Sequence, residues 1–151
     1  MVEAVVPAQL VQIRSDFLGI AKAQRLQLLL EFSNELPPLP PRYADHPDLF
    51  ERVAECQSPV FIFVDVDSDR SVHVFAIAPE QSPTTRGFAS ILVQGLDGLS
   101  VDQVMQVPDD FAQGLGLAEA VSALRLRGMT GMLARIKRQV LARTAIRTAD
   151  R

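Results

Sequence analysis

Cysteine, tryptophan and histidine are scarce in this sequence, and each shortage narrows what the chain can do. The 151 residues contain one cysteine, Cys56, two histidines, His46 and His73, and no tryptophan. A single cysteine excludes an internal disulfide framework. A metal or iron–sulfur site needs several thiolate or imidazole ligands, which one chain of this composition does not supply. We therefore expect no metal ion or cofactor of its own, and an unpaired thiol suits the reducing cytoplasm.

Long apolar runs are also missing. No stretch approaches the ~20 residues of a membrane-spanning helix. The first ten residues lack the basic cluster and apolar stretch of a secretory signal, so we expect a cytoplasmic protein without membrane contact. The length suits one domain, since domains commonly contain about 100–150 residues. With 48% hydrophobic and 22% charged residues, the composition is that of a globular protein, and we predict a single domain over residues 1–151.

Charge is distributed unevenly along the chain. From Arg125 onward there are eight basic residues and one acid, whereas the preceding part holds seven basic residues and seventeen acids. A basic C-terminal helix is either a nucleic-acid contact or a solvated helix face. The acidic remainder of the chain argues against nucleic acid, so we expect no such partner.

The hydrophobic pattern predicts helices around a small antiparallel sheet. Helices are predicted at 7–17, 21–35, from 82, from 100 and at about 122–144, and strands at 49–53, 59–64 and 71–77. In the last strand Val72, Val74 and Ala76 share one face. The proline-rich run 37–41 is either a stiff connector or a polyproline II ligand for a partner. The prediction is an α+β fold in which helices cover one face of the sheet.

Cys56 precedes the first long strand, at a junction where a strand can fix the position of a thiol. A lone cysteine is either a small buried hydrophobe or a reactive group. Composition alone favours the first interpretation, and the polar neighbours Glu55, Gln57 and Ser58 weaken it, because a core cysteine usually has apolar neighbours. A cysteine hydrolase would need a nearby base, and neither histidine has a diagnostic spacing from Cys56. A thiol peroxidase remains an alternative.

Four segments in order resemble the SufE family. The segment 55–62, Glu-Cys-Gln-Ser-Pro-Val-Phe-Ile, resembles its Cys-Gln-Ser signature followed by an apolar strand. The segment 35–40 is similar to its leucine–proline stretch, and 85–89 to its basic–glycine helix start. The segment 125–129, Arg-Leu-Arg-Gly-Met, resembles the opening of its terminal helix. The resemblance covers roughly residues 20–140, which we take as the core of the domain.

The resemblance implies a sulfur carrier with a SufE/IscU-like α+β sandwich. Such proteins accept persulfide sulfur from a SufS-type cysteine desulfurase, raise its turnover and pass the sulfur to the SufBCD scaffold for iron–sulfur cluster assembly. Pyridoxal phosphate belongs to the desulfurase. A monomer or weak dimer is expected. Two alternatives are a SufE-like carrier feeding tRNA or cofactor thiolation, and a stand-alone thiol enzyme.

The resemblance also implies roles for individual residues. Cys56 matches the acceptor cysteine, and Glu55, Gln57 and Ser58 are its loop neighbours. Arg86, Arg125 and Arg127 are basic positions near the loop or the partner surface. The chain departs from the family at Glu55, where glycine is common, at Pro79-Glu80-Gln81, where many members have Asp-Ser-Asp, and at Phe61, where tryptophan is frequent.

The carboxylate of Glu55 affects the expected chemistry of Cys56. The thiolate is the nucleophile, and an unperturbed cysteine has a pKa of about 8.5. An adjacent negative charge raises that pKa, so free Cys56 is expected to react slowly unless an arginine offsets the charge. Arg125 is the first candidate for this support.

Overall fold

Three strands, six α-helices and two short 3-10 helices make up residues 6–149, the part of the chain that this computed structural model describes, with α6 side chains described to residue 145. The α-helices are α1 (Ala8–Leu18), α2 (Lys22–Asn34), α3 (Pro41–Ala44), α4 (Pro83–Leu96), α5 (Val101–Met105) and α6 (Ala123–Ala149). The strands are β1 (Glu51–Arg52), β2 (Phe61–Val66) and β3 (Val72–Ile77), and the 3-10 helices are Pro47–Leu49 and Phe111–Leu115. The predicted α+β class is confirmed. None of these helices is long and apolar enough to cross a bilayer.

The sheet is antiparallel in the order β1-β2-β3. Side chains alternate between its faces, and the inner face pairs Ile62 with Ala76, Val64 with Val74 and Val66 with Val72. All six are buried, which confirms the face predicted for β3. α4 and α6 pack on this inner face, while α1 and α2 pack against α4. The core therefore lies between the sheet and the α4–α6 layer.

The outer face of the sheet carries an aromatic cluster that no local sequence pattern predicts. The proline run leads into α3, which places Tyr43 against the sheet with its ring centroid 5.1 Å from that of Phe63 and 4.8 Å from that of Phe75. The Tyr43 hydroxyl donates to Asp65 Oδ2 at 3.2 Å. Proline fixes the backbone angle that the first turn of a helix needs, so the run both stops α2 and starts α3.

Two local expectations differ from the structure. The spacing of Leu26, Leu29, Leu30 and Leu36 predicts that they share the buried face of α2, but Leu26 is 37% exposed, and Phe32 and Ser33 are buried beside Leu29 and Leu36. Ser82 followed by Pro83 predicts an N-cap for α4, but the Ser82 hydroxyl makes no capping bond and pairs with that of Ser58 at 2.7 Å. The spacing of Ser100 and Gln103 predicts a capping box at the start of α5, and the structure confirms it.

A glutamine of the C-terminal helix binds the free edge of β2. β1 has only two residues, so β2 lacks a strand partner beyond Ile62 on that edge. The side-chain amide of Gln139 in α6 takes the place of a neighbouring strand at this edge. Val64 N donates to Gln139 Oε1 at 2.8 Å, and Gln139 Nε2 donates to Ile62 O at 3.2 Å. This side chain fixes the position of α6 along the sheet and, with it, the helix face beneath Cys56.

Candidate functional site

Cys56 lies in the loop between β1 and β2, with its side chain turned inward. The loop is closed at its base by a hydrogen bond from Val53 N to Val60 O at 2.9 Å, between two fully buried residues. A turn bond from Cys56 N to Val53 O at 3.1 Å directs the cysteine toward the core. The thiol is free and Cys56 is only 8% exposed, whereas Glu55 and Gln57 on either side are exposed. A polar loop thus holds a buried thiol, which combines the two interpretations of the sequence.

Two glycines of α6 form the floor under this loop. A Cβ on Gly128 would lie 2.9 Å from Cys56 Sγ, and a Cβ on Gly131 would lie 2.7 Å from Glu55 Cδ. Both distances are too short for real side chains, so the loop and the helix approach closely only because these positions have no side chain. Residues three apart share a helix face. The floor is therefore a continuous trough on α6.

One turn further along the same face, Arg135 holds Glu55. Arg135 Nε donates to Glu55 Oε2 at 3.0 Å and Nη2 donates to Glu55 Oε1 at 2.7 Å, a bidentate pair. The third nitrogen, Nη1, donates to Glu51 Oε2 at 2.5 Å. Arg138 and Gln139 also donate to Glu51. The carboxylates at both ends of the segment 51–55 are thus bound to the C-terminal helix.

The electrostatics around Cys56 suppress its reactivity in the free protein. Burial and, secondly, the negative charge of Glu55 raise the pKa of the Cys56 thiol to about 11, although the positive charge of Arg135 lowers it. The hydrogen bonds from Arg135 keep the pKa of Glu55 below its usual value, so Glu55 stays ionised beside the thiol. The direction agrees with the sequence prediction, but the larger cause is burial. The cation that moderates the shift is Arg135.

A polar pocket of about 540 Å³ opens beside the thiol. Its wall is formed by the Cys56 loop and the first turns of α4 and α6. Hydroxyl side chains dominate the wall: Ser58, Ser82, Thr84, Thr85 and Ser122. Arg125 also lines the pocket, and its Nη1 donates to Thr84 Oγ1 at 3.4 Å. We call this space the thiol pocket.

The structure brings some of the sequence candidates together and separates others. Glu55, Gln57, Ser58 and Arg125 line the thiol pocket with Cys56. Arg86 does not line it: its guanidinium donates to Ser33 O at 3.0 Å and to Ala78 O at 2.6 Å, joining the ends of α2 and β3 to the start of α4. Arg127 is exposed on α6, and its guanidinium contacts no acid or acceptor in the described part of the chain.

The residue that sequence reasoning missed is Arg135. The signal was present as a spacing, because Gly128, Gly131 and Arg135 recur at intervals of three and four in the predicted helix. Glycine inside a helix costs about 0.5–1 kcal/mol relative to alanine. Two glycines on one face therefore indicate a close approach there. The sequence does not say which segment makes that approach.

Neither histidine belongs to the thiol pocket. His73 lies at the far end of the hairpin, where its Nε2 is 2.6 Å from Asp67 Oδ2 and its Nδ1 is 3.3 Å from Asp97 Oδ1. His46 is exposed, 3.9 Å from Asp48. Over residues 6–149 no group of three or more His, Cys, Asp or Glu side chains is arranged to hold a metal ion. The chemistry that this site supports is that of one thiol.

The structure is an α+β domain in which one buried thiol packs against a glycine of α6. Any thiol chemistry of this domain therefore depends on one cysteine. The sequence model of the SufE family, described as the Fe-S metabolism associated domain, matches residues 11–140. The chain belongs to the SufE family.

Individual relatives agree with this assignment. The chain is 50% identical over 137 residues to an uncharacterized SufE-like protein of Mycobacterium tuberculosis (strain H37Rv), covering 91% of this chain and 94% of the relative. It is 29% identical to SufE-like protein 1, chloroplastic/mitochondrial, of Arabidopsis thaliana, covering 89% of this chain and 35% of that protein. The solution structure of a hypothetical protein from Thermus thermophilus superposes with a TM-score of 0.81 at 38% identity, covering 93% of this chain and 99% of that chain. Membership of the family indicates a sulfur-related role in iron–sulfur metabolism and, in general, association with a cysteine desulfurase.

Proposed function

We propose that this protein accepts persulfide sulfur on Cys56 from a SufS-type cysteine desulfurase, raises the turnover of that enzyme and passes the sulfur to the SufBCD scaffold. The observation that carries the proposal is the position of Cys56. The sole cysteine of a SufE-family chain stands at the wall of a pocket, on a loop whose neighbouring side chains are polar and exposed. That combination suits a thiol that is buried in the free protein and becomes exposed to a partner.

The proposed reaction is a thiol–persulfide exchange. The Cys56 thiolate attacks the outer sulfur of a persulfide on the desulfurase, and the bond between the two donor sulfurs breaks. The donor cysteine leaves as a thiolate with the bonding electrons, and Cys56 becomes the persulfide. The Cys56 proton is lost before the attack and one proton is returned to the leaving thiolate, so the step needs no external oxidant or reductant.

The state of the thiol in the free protein favours a carrier over a stand-alone enzyme. With a pKa of about 11, Cys56 is almost entirely protonated at neutral pH, and the residue is only 8% exposed. A cysteine enzyme acting alone requires a base or cation that activates the thiol. No histidine is among the residues that line the thiol pocket, and Arg125, the cation in its wall, is not among the groups that shift the pKa of Cys56. Activation by a docked partner is therefore the mechanism that this geometry supports.

The other components of the reaction belong to the partners. Pyridoxal phosphate, which releases sulfur from cysteine, is the cofactor of the desulfurase, and the carrier contributes one thiol. The reaction requires Cys56 to stay reduced between transfers, which suits the cytoplasm. Arg125 is the cation that we assign to the partner-facing wall, because it lines the thiol pocket and has no carboxylate partner in the described residues.

Intact-mass analysis tests this proposal. The protein and a Cys56→Ser variant are incubated with a SufS-type desulfurase and cysteine, and then with a thiol reductant. We expect the wild type to gain one or more sulfur atoms, the variant to gain none, and the reductant to remove the gain. A second experiment supplies cysteine with isotope-labelled sulfur and measures how much of the label passes from Cys56 to SufBCD and how much to a tRNA-thiolation acceptor. The acceptor that gains the label identifies the downstream pathway. Absence of sulfur on the wild type with several desulfurases would contradict the proposal.

A further inference from the structure

A single side chain of α6 holds both ends of the segment that leads to Cys56. Arg135 pairs with Glu51, at the start of β1, and with Glu55, next to the cysteine. The three guanidinium nitrogens are all used: two on Glu55 and one on Glu51. Lysine has no planar fork and cannot reproduce this geometry, although it carries the same charge.

The Arg135–Glu51 half of this pairing is less exposed than an ordinary surface ion pair, whereas the Glu55 side chain on the other half is 40% exposed. The Arg135 side chain is 21% exposed and that of Glu51 is 26% exposed. Surface ion pairs contribute little because water screens them and both side chains lose entropy. Here Arg138 and Gln139 also bind Glu51, so the acceptor is already ordered when Arg135 binds. Arg135 is therefore held in one position, from which it reaches Glu55.

The pairing acts on the thiol because of the trough beneath it. Gly128 and Gly131 let the loop lie directly on the helix, with Cys56 Sγ over the first glycine and the Glu55 side chain over the second. Because the Glu55 side chain lies on α6, its contacts with Arg135 also hold the Cys56 loop against the helix. The other attachments of the Cys56 loop are the Val53–Val60 backbone bond at its base and the Ser58–Ser82 hydroxyl bond on its far side.

We propose that Arg135 is a positioning residue for Cys56: its fork on Glu55 holds the loop in the trough of α6 and so limits access to the sulfur. The proposal deepens the proposed function, since the thiol that is positioned is the one assigned to sulfur transfer. The positioning is a property of the free protein and needs no partner. Opening of this fork releases the loop from the trough and gives a donor sulfur more access to Sγ than the thiol pocket alone allows.

The test measures access to Cys56 with a small neutral electrophile, iodoacetamide, on the full chain. Arg135→Lys keeps the charge and removes the fork, and Glu55→Gln removes the ion pair from the other side. Arg127→Lys and Glu80→Gln are matched controls, because both side chains are exposed and without partners in the described residues. The pKa of Cys56 is titrated separately by thiolate absorbance, so that each rate is corrected to the same thiolate fraction.

We expect the corrected alkylation rate to rise about 5- to 30-fold in Arg135→Lys and in Glu55→Gln, since losing a contact of one or two kcal/mol shifts a local opening equilibrium by that factor. Hydrogen exchange should accelerate at the amides of residues 54–58 and not in β2. The two controls should match the wild type. Unchanged corrected rates in both variants, with the fold intact, would overturn the proposal. Equal acceleration in the loop and in β2 would also overturn it, because that pattern means global destabilisation.

The same variants separate this proposal from the proposed function. Faster alkylation in Arg135→Lys, with no sulfur gained from any desulfurase, would leave the positioning role standing and remove the sulfur-carrier role. If the wild type gains sulfur on Cys56 but alkylation is identical in all variants, the sulfur-carrier role stands and the positioning role of Arg135 is removed.

Discussion

Gly128 and Cys56 are in contact across the interface between the cysteine loop and α6: a Cβ on the glycine would lie 2.9 Å from Sγ. The terminal helix is thus part of the thiol site, although residue 128 is far from residue 56 in sequence. An interior glycine lowers the stability of a helix, but at position 128 it leaves the space in which Cys56 Sγ is buried against α6.

Substitution of that glycine by alanine should expose the thiol. Two effects of Gly128→Ala oppose each other: alanine favours an interior helix position by about 1 kcal/mol, and its methyl group displaces Cys56. We expect faster alkylation of Cys56, with less than the ~1 kcal/mol gain in unfolding free energy that helix propensity alone would give. Gly114→Ala is the control, because a Cβ there meets only Arg14 Cδ at 3.7 Å. Slow, wild-type alkylation in Gly128→Ala would show that the loop accommodates the methyl group without moving.

The raised pKa of Cys56 should be visible in the pH dependence of its alkylation. With a pKa of about 11, the thiolate fraction of the free protein keeps rising about tenfold per pH unit from pH 7 to 10. An ordinary cysteine, with a pKa of about 8.5, levels off above about pH 9. Iodoacetamide kinetics across this range distinguish the two. A plateau near pH 9 would mean that the thiol is not held in its buried state.

Elements with strong local signals were predictable from the sequence. The β-branched and aromatic run at 59–64 and the alternation of Val72, Val74 and Ala76 identified β2 and β3, because burial of one sheet face imposes a period of two. The short helix α3 was not predicted. Its four residues carry no periodicity, and its position depends on the packing of Tyr43 against Phe63 and Phe75.

The site was predictable only in part. Cys56 and its neighbours were identified because they are adjacent in sequence and resemble a family signature. The fork between Glu55 and Arg135 joins residues 80 positions apart, and no local pattern encodes which of several arginines makes it. Burial of Cys56 was equally hidden, since exposed neighbours in sequence do not reveal what the loop packs against.

Arg125 remains a sequence prediction that the site geometry makes testable. Its guanidinium lines the thiol pocket, and its only polar contact in the described residues is the Thr84 hydroxyl at 3.4 Å. Arg125→Gln should change the free energy of unfolding by no more than about 0.5 kcal/mol, as is usual for exposed positions. We expect the same variant to slow sulfur uptake from the desulfurase about tenfold, the effect of losing ~1.4 kcal/mol of interaction. Arg14→Gln is the control, because Arg14 lies on α1 and does not line the thiol pocket, and equal uptake by both variants would remove Arg125 from the partner-facing site.

His73 makes the hairpin sensitive to pH. Burial lowers the pKa of His73, but the hydrogen bond and charge of Asp67, together with Asp97, outweigh this effect and raise it above 6.5. The protonated form therefore stabilises the folded state. This contribution is complete below pH 6.5 and is lost as the pH rises through the folded pKa.

Urea unfolding at several pH values between about 5.5 and 8.5 tests this role. We expect the wild type to lose stability over that range relative to His73→Gln, which does not titrate, and we expect salt to reduce the difference. A difference that stays constant with pH would mean that the aspartates do not bind the charged imidazole in solution. His46→Gln is the control, since His46 is exposed.

Gln139 should contribute to stability through the edge of β2 more than through α6 itself. Its amide satisfies Val64 N and Ile62 O where β1 ends, and it also donates to Glu51. Gln139→Ala removes the partner of Val64 N, which has no strand partner on that edge in the described residues, and this costs about 1–3 kcal/mol when the amide is shielded from water. Alanine is the better helix former, so a decrease in unfolding free energy has to come from the lost sheet contacts.

The control for this substitution is Gln106→Ala, because Gln106 is an exposed glutamine just after α5, and its replacement should be near neutral. Equal stability of Gln139→Ala and the wild type would show that water replaces the amide at the sheet edge. A loss confined to Gln139→Ala, with faster hydrogen exchange at Val64, would show that this side chain holds the helix under the cysteine loop. In that case the accessibility of Cys56 depends on the sheet edge as well as on Arg135, because both fix α6 relative to the loop.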